Sequence, residues 1–292
     1  MSVPKSQLKI ILGGASFGDP AYGGRVSDIK DIDAILDLFV AHGHCEVDNS
    51  RQYCAGTSEE KMGMIDWRSK GLKLGSKLLA LDPGAVVARS ISSENISHTY
   101  DDMKKYILKS LKALNAEQLD IWYLYLHCAD RRTDYNITMK AVNELYKEGY
   151  FKRFGISNFM SWEVAEIVGI CKGNGYITPS VYQGPYNGLH RTAEPELFPC
   201  LKKFGISYYA FNPLGGGFFT GRYTSLTDDS EPGSRFDQSK GQGQFYRGRY
   251  WNEANFKALA SIQAIANKHN LTLAEIALRW LSHHSHVEEG GW

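Results

Sequence analysis

DIWYLYLH, residues 120–127, is the stretch on which the fold turns. From Ile121 to Leu126 no polar residue alternates with the apolar and aromatic ones, so both faces of a strand here are apolar. Such a strand is buried on both sides, as in a parallel sheet covered by helices. The same logic extends outward. Strand-like segments at Ile10–Leu12, Cys45–Asp48, Lys73–Ser76, Asp120–Leu126, Arg153–Ile156, Ser180–Tyr182 and Ser207–Phe211 alternate with helix-like ones. The helical patterns cover about 28–41, 58–63, 97–114, 138–148, 161–172 and 194–204. In the first, Ile29, Ile32, Ile35, Leu36 and Phe39 share one face. Repeated strand–helix units predict a parallel sheet with crossover helices. After the seventh strand comes a polar stretch, 224–249, expected to be a functional loop or a disordered insertion. Two more helices follow, at about 253–268 and 273–283, the second with Thr272 as a cap.

Composition narrows the class. The chain has 292 residues, 43% of them hydrophobic, enough for a large core. It reads as a single domain over 1–292, since α/β barrels of about 250 residues form one domain. The net charge of +1 gives no electrostatic case for nucleic acid or an acidic membrane surface. The five cysteines are scattered and lack metal-ligand spacing, which suits a reducing compartment. Cys54 and Cys128 directly follow Tyr53 and His127 and read as small neighbours of those residues. His283, His284 and His286 have no acidic or thiolate ligand at metal spacing, so no metal is expected. With no apolar run of spanning length and no signal core, a cytoplasmic location is expected.

Four residues carry chemistry. Asp48 and Tyr53 lie in HCEVDNSRQYCAGTSEE (44–60), Lys77 ends LKLGSK, and His127 ends DIWYLYLH. Reducing a carbonyl requires a proton on oxygen while the carbon takes a hydride. A free tyrosine, with a pKa of about 10, donates reluctantly. A lysine cation lowers that value, a carboxylate holds the lysine, and an imidazole orients the carbonyl. Taken singly, each has a plainer reading: Asp48 as a strand-end cap, Lys77 as a solvated charge, His127 as a buried imidazole. Elsewhere, Ser157, Asn158 and Gln183 offer hydroxyl and amide groups to a carboxamide. Gly155 and Gly184 allow close backbone approach. Gly215, Gly216, Gly217 and Gly221 form a flexible loop whose N–H groups can cradle phosphates, and Arg222 adds a charge-assisted contact.

In order along the chain, VDNSRQYCAGTSEEKMG, SK, YLYLH and FGISNF resemble the aldo-keto reductases, and within them the aflatoxin-aldehyde-reductase-like branch. The resemblance runs from about Leu12 to Ser285. It implies a (β/α)8 TIM barrel and NADP(H)-dependent reduction of a small-molecule carbonyl, with Asp48, Tyr53, Lys77 and His127 as the catalytic group. It implies that Asp48, Ser157, Asn158, Gln183, Phe211, Asn212, Pro213, Leu214, Gly215, Gly216, Gly217, Arg222 and Arg235 meet the cofactor. It implies that His127, Tyr246 and Arg249 meet substrate. The sequence ends at HHSHVEEGGW without the family's eighth strand, closing turn and helix. We therefore expect an incomplete barrel, weakened selectivity for the cofactor's 2′-phosphate, and pairing of exposed strand edges in a homodimer. The competing expectation is a non-catalytic relative that binds cofactor weakly and serves as a binding or regulatory partner.

Overall fold

The computed structural model describes residues 8–81, 94–125 and 129–283, with the backbone alone for Leu124 and Tyr125. His127, Cys128, the Pro83–Gly84 turn, His284 and His286 lie outside the described residues. Seven strands form one sheet in the order β1 to β7: β1 Ile11–Gly13, β2 Glu46–Asp48, β3 Lys73–Leu79, β4 Leu119–Tyr125, β5 Phe151–Ser157, β6 Val181–Pro185 and β7 Ser207–Phe211. The registered pairs from β1 through β6 are all parallel. This is the α/β arrangement of a TIM-type barrel, with seven strands among the described residues.

The helices are α1 Ile29–Ala41, α2 Thr57–Gly63, α3 Tyr100–Ala113, α4 Tyr135–Lys147, α5 Ser161–Asn174, α6 Leu197–Phe204, α7 Gly241–Tyr250, α8 Glu253–His269 and α9 Leu273–His283. Their starts are written in the sequence. Asp28 caps α1 by accepting from the Lys30 N–H. Thr272 and Glu275 form a reciprocal capping box on α9, each bonding the other's backbone N–H. On α3 the buried residues Met103, Tyr106, Ile107, Ser110 and Leu111 make the expected stripe at helical spacing.

The described residues fall into two compact units. One comprises residues up to 183 with 199–209, the other 184–198 and 210–283. In the first, the sheet curls. Ile121 and Tyr123 of β4 cluster with Val181 of β6 and Tyr209 of β7, with Ile11 of β1 packed against them. Trp122, between them, points the other way and meets Phe151, with ring centroids 5.4 Å apart. Both faces of β4 are therefore buried, one in the barrel interior and one under helices.

A charged cluster also closes the interior. Arg153 of β5 donates to Glu46 of β2 at 2.9 Å, to Asp120 of β4 and to the Tyr209 hydroxyl of β7 at 3.2 Å. The Tyr209 hydroxyl in turn donates to Glu46 at 3.1 Å. Removing the guanidinium leaves two partly buried carboxylates without their cation, Glu46 keeping only its bond from Tyr209. We expect Arg153→Met to cost about 3 kcal/mol, the low end for breaking a buried pair. Denaturant unfolding measures it, and a negligible loss would mean that water already screens the cluster.

In the second unit the polar stretch is ordered rather than loose. The Asp228 carboxylate accepts from the N–H groups of Thr224 and Ser225 and from the Ser225 hydroxyl, and these bonds, Thr224 first, pull its pKa down to about 2. Asp237 ties Gly233 to Ser239 in the same way. The stretch then becomes α7. Its Gly- and Gln-rich composition conceals a buried face made by Gly243, Tyr246 and Tyr250. Tyr246 and Tyr250 join Phe218, Phe219, Tyr223, Phe236 and Phe256 in an aromatic core. Of the two expectations for this stretch, a functional loop or a disordered insertion, the packing overturns the second.

Candidate active site

Strand alternation places the candidates before any contact is considered. Side chains two apart on a strand share a face. Lys77, Tyr123, Gly155 and Val181 are register partners across β3 to β6. Tyr123 and Val181 face the interior, so Lys77 and Gly155 do too. Ser157 and Gln183, themselves register partners, lie one inward step further toward the C-terminal ends of their strands. This is the end of a parallel barrel at which catalytic residues gather. Lys77 is not at the end of its strand, as LKLGSK suggested. β3 continues through Leu79, because Leu78 and Leu79 are buried and stay in register with positions 124 and 125 of β4.

Lys77 is 1% exposed. Burying an ammonium is costly unless it is paired and hydrogen-bonded. Its Nζ donates to Asp48 Oδ2 at 2.6 Å, to the Asn49 carbonyl at 2.9 Å and to the Tyr53 hydroxyl at 3.0 Å. It also lies 4.6 Å from the Tyr53 ring centroid. Asp48 closes β2, and Tyr53 opens a short 3-10 turn, Tyr53–Gly56. Within this turn Cys54 and Ala55 have φ of 50° and 54°, followed by Gly56 at 98°. Two successive non-glycine residues in the left-handed region persist only where surrounding bonds hold them. Those bonds are present: Thr57 Oγ1 donates to the Cys54 carbonyl at 2.8 Å and accepts from the Asp19 N–H at 2.9 Å, while Ser58 Oγ donates to the Gly14 carbonyl at 2.8 Å. Burial pushes the Cys54 thiol pKa up, away from a reactive thiolate.

Gly155 has a different partner from the ligand expected of it. A Cβ there would sit 2.3 Å from a Tyr123 ring atom. The glycine admits that ring, which is fully buried and lies 5.8 Å from Lys77 Nζ. Gly155→Ala is an overpacking change, expected to cost about 1–3 kcal/mol. Thermal melting measures this; an unchanged melting temperature would mean that the ring has room to move.

After β5, Asn158 takes φ of 60°, a conformation that asparagine tolerates, and its amide donates to Ser157 Oγ at 3.0 Å. The following backbone is fixed by the Tyr182 hydroxyl on the Phe159 carbonyl at 2.7 Å and by Glu163 on the Met160 N–H at 2.6 Å. In the second unit, Asn212 follows β7 with φ also at 60°. Its Oδ1 accepts from the Tyr246 hydroxyl at 3.1 Å, and that hydroxyl accepts from Arg235 at 2.9 Å. Gly216 is pressed against the Tyr246 ring, where a Cβ would lie 2.4 Å away, whereas Gly217, at φ 104°, faces open space. Leu214 packs partly against the aromatic core. The Phe211 carbonyl accepts from the Tyr186 N–H, and Pro213 and Gly215 continue the turn. Arg222 is exposed and paired with Glu231, and Arg249 lies 4.7 Å from the centroid of the Phe245 ring.

The family model for the aldo/keto reductase family matches residues 9–288. The chain belongs to the aldo/keto reductase family. It is 47% identical to an aldo-keto reductase of Pseudocercospora fijiensis over 251 residues, covering 86% of this chain and 81% of that one. It is 42% identical to the aldo-keto reductase pigE of Monascus ruber over 288 residues, covering 97% and 82%. It is 37% identical to aflatoxin B1 aldehyde reductase member 2 of Mus musculus over 270 residues, covering 91% and 71%. For an aldo-keto reductase, the contact of Lys77 with both Asp48 and Tyr53 is the informative feature of the first unit.

Sequence reading missed Arg51 and Glu59. Glu59 stands among the acids of SEEKMG, where a helix N-terminus reads as solvated, yet it is fully buried. Only the apolar residues around it, such as Met62, hinted at that. Among the described residues no cluster of three or more His, Cys, Asp or Glu is placed to hold a metal ion, and no helix is long and apolar enough to cross a membrane.

Proposed function

We propose that this aldo-keto reductase reduces an aldehyde or ketone to the alcohol using NADPH, with Tyr53 as the general acid. One observation carries the reading: a buried ammonium, Lys77, is shared between the Asp48 carboxylate and the Tyr53 hydroxyl. The Tyr53 O–H gives its proton to the carbonyl oxygen as the carbon accepts hydride. The phenolate left behind is stabilised by Lys77, which Asp48 and the Asn49 carbonyl hold in place. His127 would orient the carbonyl, a role that rests on the resemblance alone.

Each unit, taken by itself, offers groups suited to part of a dinucleotide. Asp48 Oδ1 and Asn212 Nδ2 are buried without a hydrogen-bond partner, groups that natural structures seldom leave unpaired. Asp48, Ser157, Asn158 and Gln183 would hold the nicotinamide end. Phe211 would stack on the nicotinamide ring, and Asn212, Pro213, Leu214, Gly215, Gly216 and Gly217 would take the phosphates, with Arg222 and Arg235 supplying charge. When bound, the reduced nicotinamide supplies the hydride. Tyr246 and Arg249 would meet substrate. The names of the relatives, aldehyde reductases among them, support a small carbonyl compound as substrate. Loss of NADPH absorbance with 4-nitrobenzaldehyde as acceptor tests this. Folded protein that binds NADPH without oxidising it would contradict the reading and favour a non-catalytic binding protein.

A further inference from the structure

We propose that Arg51 and Glu59 form a positioning pair that sets the Tyr53 hydroxyl on Lys77; this rests on the catalytic reading above. Arg51 stands two residues before Tyr53. Its guanidinium donates to Glu59 at 3.1 Å and to Glu60 at 2.9 Å. On the way it crosses Gly56, where an added Cβ would fall 1.5 Å from Nη2. The left-handed run Cys54–Gly56 is therefore enclosed between Tyr53 and the guanidinium, and only glycine fits at its last position.

Glu59 connects this clamp to the sheet. Its other carboxylate oxygen accepts from the Ser76 hydroxyl, which also reaches Ser110 of α3 at 3.3 Å. Ser76 precedes Lys77 on β3 and faces the helices, while Lys77 faces the interior. One buried carboxylate thus links the strand that carries the cation with the arginine that flanks the phenol. Burial pushes the Glu59 pKa up, and the bonds from Ser76, Arg51 and Ser110 act against that push. An ion pair with one member fully buried is poor evidence of net stabilisation, because apolar replacements are often as stable. Its use here is geometric. Beside the Thr57 and Ser58 bonds, the guanidinium against Gly56 is what fixes the end of the left-handed turn, and misplacing a reacting group by about 1 Å costs about 10²-fold in rate.

The test compares Arg51→Met, Arg51→Lys and the double variant Arg51→Met/Glu59→Leu. We measure kcat, KM, NADPH affinity and melting temperature. The Tyr53 resonance is followed in protein labelled with 13Cζ-tyrosine, identified by its loss in Tyr53→Phe. Arg51→Met is expected to lower kcat by about 10²-fold with NADPH affinity little changed, and to move the Tyr53 resonance toward that of exposed tyrosines. Arg51→Lys restores part of both, since a lysine reaches Glu59 but cannot span Glu59 and Glu60. The double variant recovers melting temperature while kcat stays low and the resonance stays displaced. Should Arg51→Met fail to fold, the double variant carries the same comparison. Recovery of kcat together with stability in the double variant would show the pair to be merely structural. So would a folded Arg51→Met with wild-type kcat and resonance. The resonance decides the positioning claim even if the wild type reduces no carbonyl, an outcome that would count against the proposed function instead.

Discussion

Tyr53→Phe is expected to reduce carbonyl reduction by about 10²–10⁴-fold, the contribution of a well-placed general acid. The change removes one oxygen. The ring, and its 4.6 Å approach to Lys77 Nζ, can remain. Lys77 keeps its bonds to Asp48 and the Asn49 carbonyl, so the interior is not left with an unpaired ammonium. NADPH affinity and melting temperature are therefore expected to stay near wild type. Steady-state kinetics beside a fluorescence titration separate the two effects. Retention of more than half the wild-type rate would remove Tyr53 from the mechanism.

Lys77→Met is expected to be at least as severe, and for two reasons. The phenolate formed at Tyr53 loses its cation, and Asp48 loses its ion-pair partner. Asp48 Oδ1 already lacks a hydrogen-bond partner, so an unpaired carboxylate here is strongly unfavourable in its charged form. We expect a loss of kcat of about 10²–10⁴-fold, as for the acid itself, with measurable destabilisation. The pH profile gives the sign. A general acid works while protonated, so activity falls as pH rises through its pKa. Without the cation that favours the phenolate, the falling limb of any residual activity moves to higher pH. An unmoved limb would mean that Lys77 serves structure alone.

Much of this was legible in the sequence because the signals are local. The unbroken apolar run Ile121–Tyr123 showed a strand buried on both faces, and the structure pairs β4 on both sides. Asp48, Tyr53 and Lys77 were selected by residue type and position, and the structure brings them together. What was not legible depends on distant partners. Gly155 reads as a place for a ligand until Tyr123, a strand away, fills the space. Glu59 reads as a solvated acid until Ser76 and Arg51 converge on it. The stretch 224–249 reads as loose because its order comes from aspartate-centred turns and two buried tyrosines rather than from an apolar stripe. A polar composition leaves such contacts invisible.

In the proposed reaction Tyr53, held by Lys77, protonates a carbonyl as hydride reaches its carbon. NADPH deuterated at the transferring position of C4, incubated with 4-nitrobenzaldehyde and each protein, tests it most directly by mass spectrometry of the alcohol. One deuterium on the benzylic carbon is expected with the wild type, and a deficit of at least about 10²-fold in product with Tyr53→Phe. Alcohol without deuterium, or equal deuterated product from the two proteins, would contradict it.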